Sequence, residues 1–194
     1  MTKLYSVSFP RTGTHFIGAN LSRFYDAEVW VRHDPEGFAE QNVISIVRDP
    51  RTNIASYIAH HMMRLDKTLN DNHTVPIAEQ SAKDYLDYYL EAQKHPHVIF
   101  ADFTMMTNNF IRFADTVGEI FSLPKSYQYE TAEVTRDDHK DDEKAYLPTV
   151  AGSPIMNKIY EALGDVDLSK HYELYNENLG KAKQNGLLDK ESKL

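Results

Sequence analysis

The chain has no cysteine among its 194 residues, so neither a disulfide framework nor a thiolate metal site is open to it. It has one tryptophan, and its eight glycines and eight prolines are too few for a collagen-like or low-complexity chain. No apolar run is long enough to cross a bilayer, and no apolar stretch near the N-terminus suggests a signal peptide. Positive charge is also scarce. The 21 Lys and Arg stand against 29 Asp and Glu, a formal net charge of −8. That balance argues against nucleic acid or a large polyanion as the main partner, because both demand an extended basic surface. A nucleotide-sized anion needs only local positive charge and stays compatible. The length suits one domain, 1–194, burying about 70% of its unfolded surface. The expectation is a soluble, cytoplasmic protein with no membrane and no nucleic-acid partner.

What the chain does have is a strand, a tight turn and a helix start in its first twenty residues. Leu4-Tyr5-Ser6-Val7 reads as a buried strand. Ser8-Phe9-Pro10-Arg11-Thr12-Gly13-Thr14-His15-Phe16 follows, and Phe16-Ile17-Gly18-Ala19-Asn20-Leu21 opens a helix. Glycine lets the backbone approach an anion closely, and the N–H groups and dipole of the helix face it. Arg11 adds a fixed charge with a planar donor fork. The stretch is not a standard P-loop, which needs Gly, four residues, then Gly-Lys-Ser/Thr. Here one glycine is present and the basic residue precedes it.

A second strand-to-helix junction lies at residues 42–57. Val43 to Val47 is rich in β-branched residues, as expected of a central parallel strand. Asp49 can cap the next helix and Pro50 suits its first turn. Arg48 therefore stands at the C-terminal edge of a strand, where open α/β sheets bind ligands. Ser56 lies about two turns into the helix. Between the two junctions, Ala27 to Arg32 reads as a strand, followed by His33-Asp34-Pro35.

Together these stretches resemble the sulfotransferases that use 3′-phosphoadenylyl sulfate (PAPS) as donor and release adenosine 3′,5′-bisphosphate (PAP). The family's 5′-phosphosulfate loop runs aromatic-Pro-Lys-Ser/Thr-Gly-Thr-Thr-Trp. Phe9, Pro10, Thr12, Gly13 and Thr14 match it, with Arg11 at the lysine position, His15 at a Thr position and Phe16 at the Trp position. The family's 3′-phosphate motif ends a strand with Arg and places Ser eight positions later, the spacing of Arg48 and Ser56. Its catalytic histidine sits in a strand-end Lys-Thr-His-hydrophobic-Pro stretch, and His33 fits in order and context. The resemblance implies His33 as general base and Arg11 as stabiliser of the leaving phosphate. It implies Arg11, Thr12, Gly13, Thr14, His15 and Phe16 around the phosphosulfate and adenine, with Arg48 and Ser56 on the 3′-phosphate. The acceptor is a hydroxyl or amine of a small molecule or glycan, and no metal is implied.

The rest of the chain alternates strands and helices. Strands are predicted near 3–9, 28–32, 43–48 and 97–103, and helices near 14–25, 51–64, 79–93, 107–121, 154–163 and 168–179. The pattern predicts an α/β fold of three layers, a parallel sheet with helices on both faces, P-loop NTPase-like. Leu65 to Pro76 reads as an exposed loop. Asp102 and Leu123-Pro124 echo a late strand-helix unit of the family. No Arg-Lys-Gly segment closes the site. The mixed cluster from Arg136 to Lys144 reads as a solvated face, with contact of Arg136, Lys140 or Lys144 to the 3′-phosphate as the alternative. Nine histidines are present, but none falls in a His-Glu-x-x-His or other metal-ligand spacing. Two rival readings stand beside the first: an ATP- and Mg²⁺-dependent P-loop phosphotransferase, and a non-catalytic nucleotide-binding protein on the same scaffold.

Overall fold

The computed structural model describes residues 2–64, 71–135 and 154–189. Its centre is a parallel sheet of four strands, β1 (Thr2–Val7), β2 (Ala27–Arg32), β3 (Val43–Val47) and β4 (Ile99–Asp102), in the order β2-β1-β3-β4. The burial of the strands follows that order. All five residues of β3 are buried, whereas β2, at one edge, leaves Trp30 46% exposed. A continuous β-branched run suits a strand covered on both faces.

From β1 the chain crosses by α1 (Thr14–Phe24) to β2, then returns past β1 to β3 on the other side. It continues by α2 (Pro50–Arg64) and α3 (Asp71–Gln93) to β4. Right-handed crossovers running in opposite directions place α1 on one face of the sheet and α2 and α3 on the other. The result is the three-layer arrangement expected. The reversal between β1 and β3 is a topological switch point, and it opens a crevice at their C-terminal ends. The first loop and Arg48 both lie there.

Side chains fix the layers. In α1, Ile17, Leu21 and Phe24 recur at helical spacing and are buried against the sheet. On the other face, α3 reaches β3 through phenol hydroxyls. Tyr89 Oη donates to the Ile46 carbonyl at 2.6 Å, and Tyr85 Oη donates to the Arg48 carbonyl at 2.9 Å. Beyond β4, the chain forms α4 (Phe103–Asn108), α5 (Phe110–Ile120), α6 (Pro154–Gly164) and α7 (Ser169–Gln184).

The predicted elements differ from the observed ones in three places. The stretch 107–121, expected as one helix, is split at Asn109, whose φ of −141° is not helical, and α4 begins earlier, at Phe103. Asp102 explains the early start: its Oδ1 accepts the Thr104 N–H at 3.0 Å and caps the helix. The exposed loop expected at Leu65–Pro76 is shorter, because α3 begins at Asp71 and carries Pro76 inside it. Pro76 is the sixth residue of the helix, so it removes one i→i−4 hydrogen bond near the start while the helix continues beyond it. Residues 65–70 of that loop and the Arg136–Lys144 cluster lie outside the described residues. At the C-terminal end, α7 runs on to Gln184, and the Asp102 N–H donates to the Leu187 carbonyl at 2.9 Å beyond it.

Candidate active site

The loop from Ser8 to Gly13 is held by its carbonyls. Ser8 O accepts from His33 Nδ1 at 2.9 Å, and Phe9 O accepts from Thr12 Oγ1 at 2.8 Å. Pro10 O accepts from Asn53 Nδ2 at 2.8 Å, and Arg11 O accepts from Arg48 Nη1 at 2.9 Å. Consecutive carbonyls are thus all tied by side chains, from β2's end, from the loop, from α2 and from β3's end. The Ser8 hydroxyl accepts the Ile46 N–H at 2.7 Å and joins the loop's root to β3. A backbone whose carbonyls are drawn outward can turn its N–H groups inward, the arrangement of an anion-binding nest.

Two residues of the loop adopt the left-handed region. Gly13, with φ 79°, is the N-cap of α1, and no side chain caps the helix there. The α1 N–H groups at this end have no intrahelical acceptors. The positive φ favours glycine there, and a Cβ would stand 2.5 Å from Met106 Cε, the end of a flexible side chain that would have to shift. Arg11, at φ 71°, has no such freedom. A non-glycine residue there costs about 1 kcal/mol or more, and the loop's tied carbonyls impose it.

His33 is oriented by the same loop. A carbonyl can only accept, so the 2.9 Å contact to Ser8 O puts the proton on Nδ1. In the neutral ring the lone pair is then on Nε2, which lies 3.5 Å from Thr14 Oγ1 at the start of α1. Asp34, which follows His33 in the sequence, is engaged by Arg32, whose Nε and Nη2 donate to it at 3.1 and 2.7 Å. That pair holds the Asp34 carboxyl below the usual carboxylate range. It leaves the orientation of His33 to Ser8.

Arg11, Arg48 and Ser56 converge on one spot. Arg11 Nε donates to Ser56 Oγ at 3.4 Å. Arg48 lays its guanidinium over the Phe103 ring, 4.6 Å from the centroid. Burial, and then the nearby charge of Arg11, push the Arg48 guanidinium below its ordinary range. Like charges gathered in a partly buried crevice at a helix N-terminus suit a multiply charged anion.

Beside His33 opens a cleft of about 500 Å³, lined by Phe9, Pro10, Pro35, Tyr57 and Tyr88 and by carboxylates of α3. His33 lines it on one side and touches the phosphate-type loop on the other. His33 thus stands between the cleft and the first loop.

The residues singled out from sequence are mostly brought together. Arg11, Gly13, Thr14, His33, Arg48 and Ser56 surround the crevice. Thr12 is in the loop but fully buried, and its hydroxyl donates to Phe9 O, so its side chain braces the loop. His15 is exposed, with its ring 5.9 Å from that of His33. Phe16 is half-buried, and its ring meets Phe110 edge-on at 5.1 Å. Sequence reasoning missed Asn53, Tyr85 and Phe103, which anchor the loop, hold the Arg48 carbonyl and underlie its guanidinium. Asn53 carried a usable signal: it lies four residues after the capping Asp49, on the helix that follows Arg48. Among the described residues no group of His, Asp and Glu converges as metal ligands, and no helix is long and apolar enough to cross a membrane.

No protein-family model matches this chain, and no curated protein matches it by sequence. A solved structure does match by shape: mouse sulfotransferase SULT7A1 complexed with PAP, at 14% identity and a TM-score of 0.52. The alignment covers 98% of this chain and 89% of the mouse protein. The chain has the sulfotransferase fold, a P-loop-like α/β fold with a parallel sheet flanked by helices.

Proposed function

We propose that this protein is a PAPS-dependent sulfotransferase acting on a hydroxyl or amine of a small-molecule or glycan acceptor. The observation that carries the reading is the meeting of Arg11, Arg48 and Ser56 on one side of the first loop, with His33 Nε2 on the other. The donor's chemistry fits this set. It has a 5′-phosphosulfate for the loop and α1 N-terminus, and a 3′-phosphate for Arg48 and Ser56. An anion between the guanidiniums relieves both the repulsion and the desolvation that burden Arg48.

PAPS, when bound, supplies the sulfuryl group and leaves as PAP. The S–O bond to the phosphate breaks, the phosphate oxygen keeps the electron pair, and an S–O or S–N bond forms to the acceptor. His33 takes the acceptor's proton at Nε2, with Nδ1–H fixed on Ser8 O. Arg11 and the N–H groups of the loop from Thr12 to His15 hold the charge that grows on the leaving phosphate. Phe16 gives the adenine an apolar edge, backed by Phe110.

The test is mass spectrometry of a pool of candidate alcohols, phenols, amines and glycans incubated with the protein and PAPS in excess EDTA. A mass increase of one sulfate on a pool member is the expected result. Phosphorylated products from ATP and Mg²⁺, with none from PAPS, would establish the phosphotransferase reading instead. Phosphoryl transfer from ATP relies on Mg²⁺ to neutralise the β- and γ-phosphates, whereas the less charged sulfuryl group leaves that task to Arg11 and the helix N-terminus.

A further inference from the structure

We infer that the acceptor is a cation, a small molecule that carries a protonated nitrogen besides the group that receives sulfate, and that the cleft beside His33 selects it. For the reaction this rests on the sulfotransferase reading. For the pocket it rests on the lining alone.

Helix α3 presents Asp84, Asp87 and Glu91 to the cleft. Their spacing of three and then four residues puts them in a row on one helix face. The described lining holds no Lys or Arg to oppose them. The partners these carboxylates have are on α3 itself or just past its end. Asp84 accepts from the neutral amide of Gln80 at 2.7 Å. Asp87 pairs with Lys83 at 3.0 Å, and Glu91 pairs with Lys94 at 2.6 Å and faces His95 at 3.6 Å. Lys83 and Lys94 are each 68% exposed, so these pairs are loose and solvent-screened and leave the cleft negative.

Aromatic side chains share the lining with these carboxylates. Phe9 meets Tyr57 edge-on at 5.0 Å and Tyr88 at 5.7 Å, and all three line the cleft. Ring faces favour an ammonium as carboxylates do, and the two together are a cation's environment. Tyr88 supplies an independent sign of a missing ligand. It is 6% exposed, and its buried hydroxyl has no partner among the described residues. Its neighbours Tyr85 and Tyr89 both donate to backbone carbonyls at the β3 end of the sheet. A buried phenol hydroxyl is ordinarily bonded, so an unbonded one on a residue that lines the cleft points to a polar partner that the described residues do not supply. The same lining repels anionic acceptors, which gives selectivity by exclusion as well as by attraction.

Three phenols with the same ring and hydroxyl test this: tyramine (cationic), 4-ethylphenol (neutral) and 4-hydroxyphenylpropionate (anionic). Their dissociation constants are measured by calorimetry on the protein with and without PAP, and sulfate transfer from PAPS is followed by mass spectrometry. Tyramine is expected to bind about tenfold or more tighter than the anion, the size of one to two partly screened charge contacts. Asp84→Asn and Asp87→Asn should each reduce that ratio. Lys83→Met, which unpairs Asp87 without touching the cleft, should raise it, and a purely structural role for the row would not produce that opposite sign. Equal binding of the three phenols, no binding of any, a preference for the anion, or a ratio unmoved by Asp84→Asn and Lys83→Met overturns the inference. Selective tyramine binding without sulfate transfer keeps the cation site and removes the sulfotransferase reading. Equal turnover of all three phenols does the reverse.

Discussion

The guanidinium of Arg48 donates to the backbone carbonyl of Arg11 at 2.9 Å, so the residue that ends β3 holds the loop from which the second guanidinium projects. The two arginines are thereby coupled: one sets the backbone of the other, and each burdens the other with like charge. Arg11 also keeps a left-handed φ of 71° that arginine does not favour. This loop tolerates strain and repulsion in return for charge at the crevice.

Arg11→Gly tests that trade. Glycine adopts the left-handed region freely and removes the repulsion on Arg48, so stability should stay level or rise by up to about 1 kcal/mol despite the loss of a side chain. Turnover should fall on the order of 10²–10³-fold, the usual size of one lost electrostatic stabiliser. Thermal melts and single-turnover rates measure the two effects. A drop of several degrees in Tm would show that Arg11 is instead a structural residue.

His33→Ala separates chemistry from binding. The histidine touches the loop through Ser8 O alone among the carbonyls, and the other three keep their donors. PAP affinity should therefore change only a few-fold, while turnover falls roughly 10²–10⁴-fold, the contribution of a general base. Wild-type turnover in this variant would move the base elsewhere, with His15, His60 and His61 the next residues to replace.

Gly13→Ala attacks the loop chiefly by conformation, and it also displaces the end of Met106. Its Cβ would stand 2.5 Å from Met106 Cε at a φ of 79°. Stability should fall by about 1–3 kcal/mol, with PAP affinity falling as well. Met106 is fully buried, so its truncation has its own cost, and Gly13→Ala is therefore also measured on the Met106→Ala background, where the clash is gone and the strained φ remains. A smaller but persistent loss of stability and PAP affinity is expected there, and no loss of either on that background would mean that the left-handed turn is not needed for the anion.

The two junctions were legible because each is local. Strand, loop, glycine and helix start follow one another within residues 4–21, and Arg48, Asp49 and Pro50 do so at the second. Their meeting was implied by the family resemblance alone, which puts both motifs on one nucleotide; the neighbouring of β1 and β3 at a switch point came from the structure. The anchors were not. Tyr85 reaches Arg48 O across 37 positions and Asn53 reaches Pro10 O across 43, and no local pattern announces either contact. The acidic row of α3 was visible as Asp84, Asp87 and Glu91, but a charged helix face reads as solvated until the cleft beside it is seen. Asn109 breaks the 107–121 helix although asparagine is tolerated in many helices, because the cap at Asp102 starts a separate short helix ahead of it.

The most direct measurement compares PAP with AMP. The central claim is that Arg48 and Ser56 hold a 3′-phosphate beside a loop that holds the 5′ side, and the two nucleotides differ only in that phosphate. Calorimetric titration of the wild-type protein should give PAP an affinity at least about tenfold above that of AMP, since a charge-assisted contact contributes roughly 1.5–3 kcal/mol. In Arg48→Ala that difference should largely vanish while AMP binding changes less. Equal affinities for PAP and AMP in the wild-type protein would contradict the account.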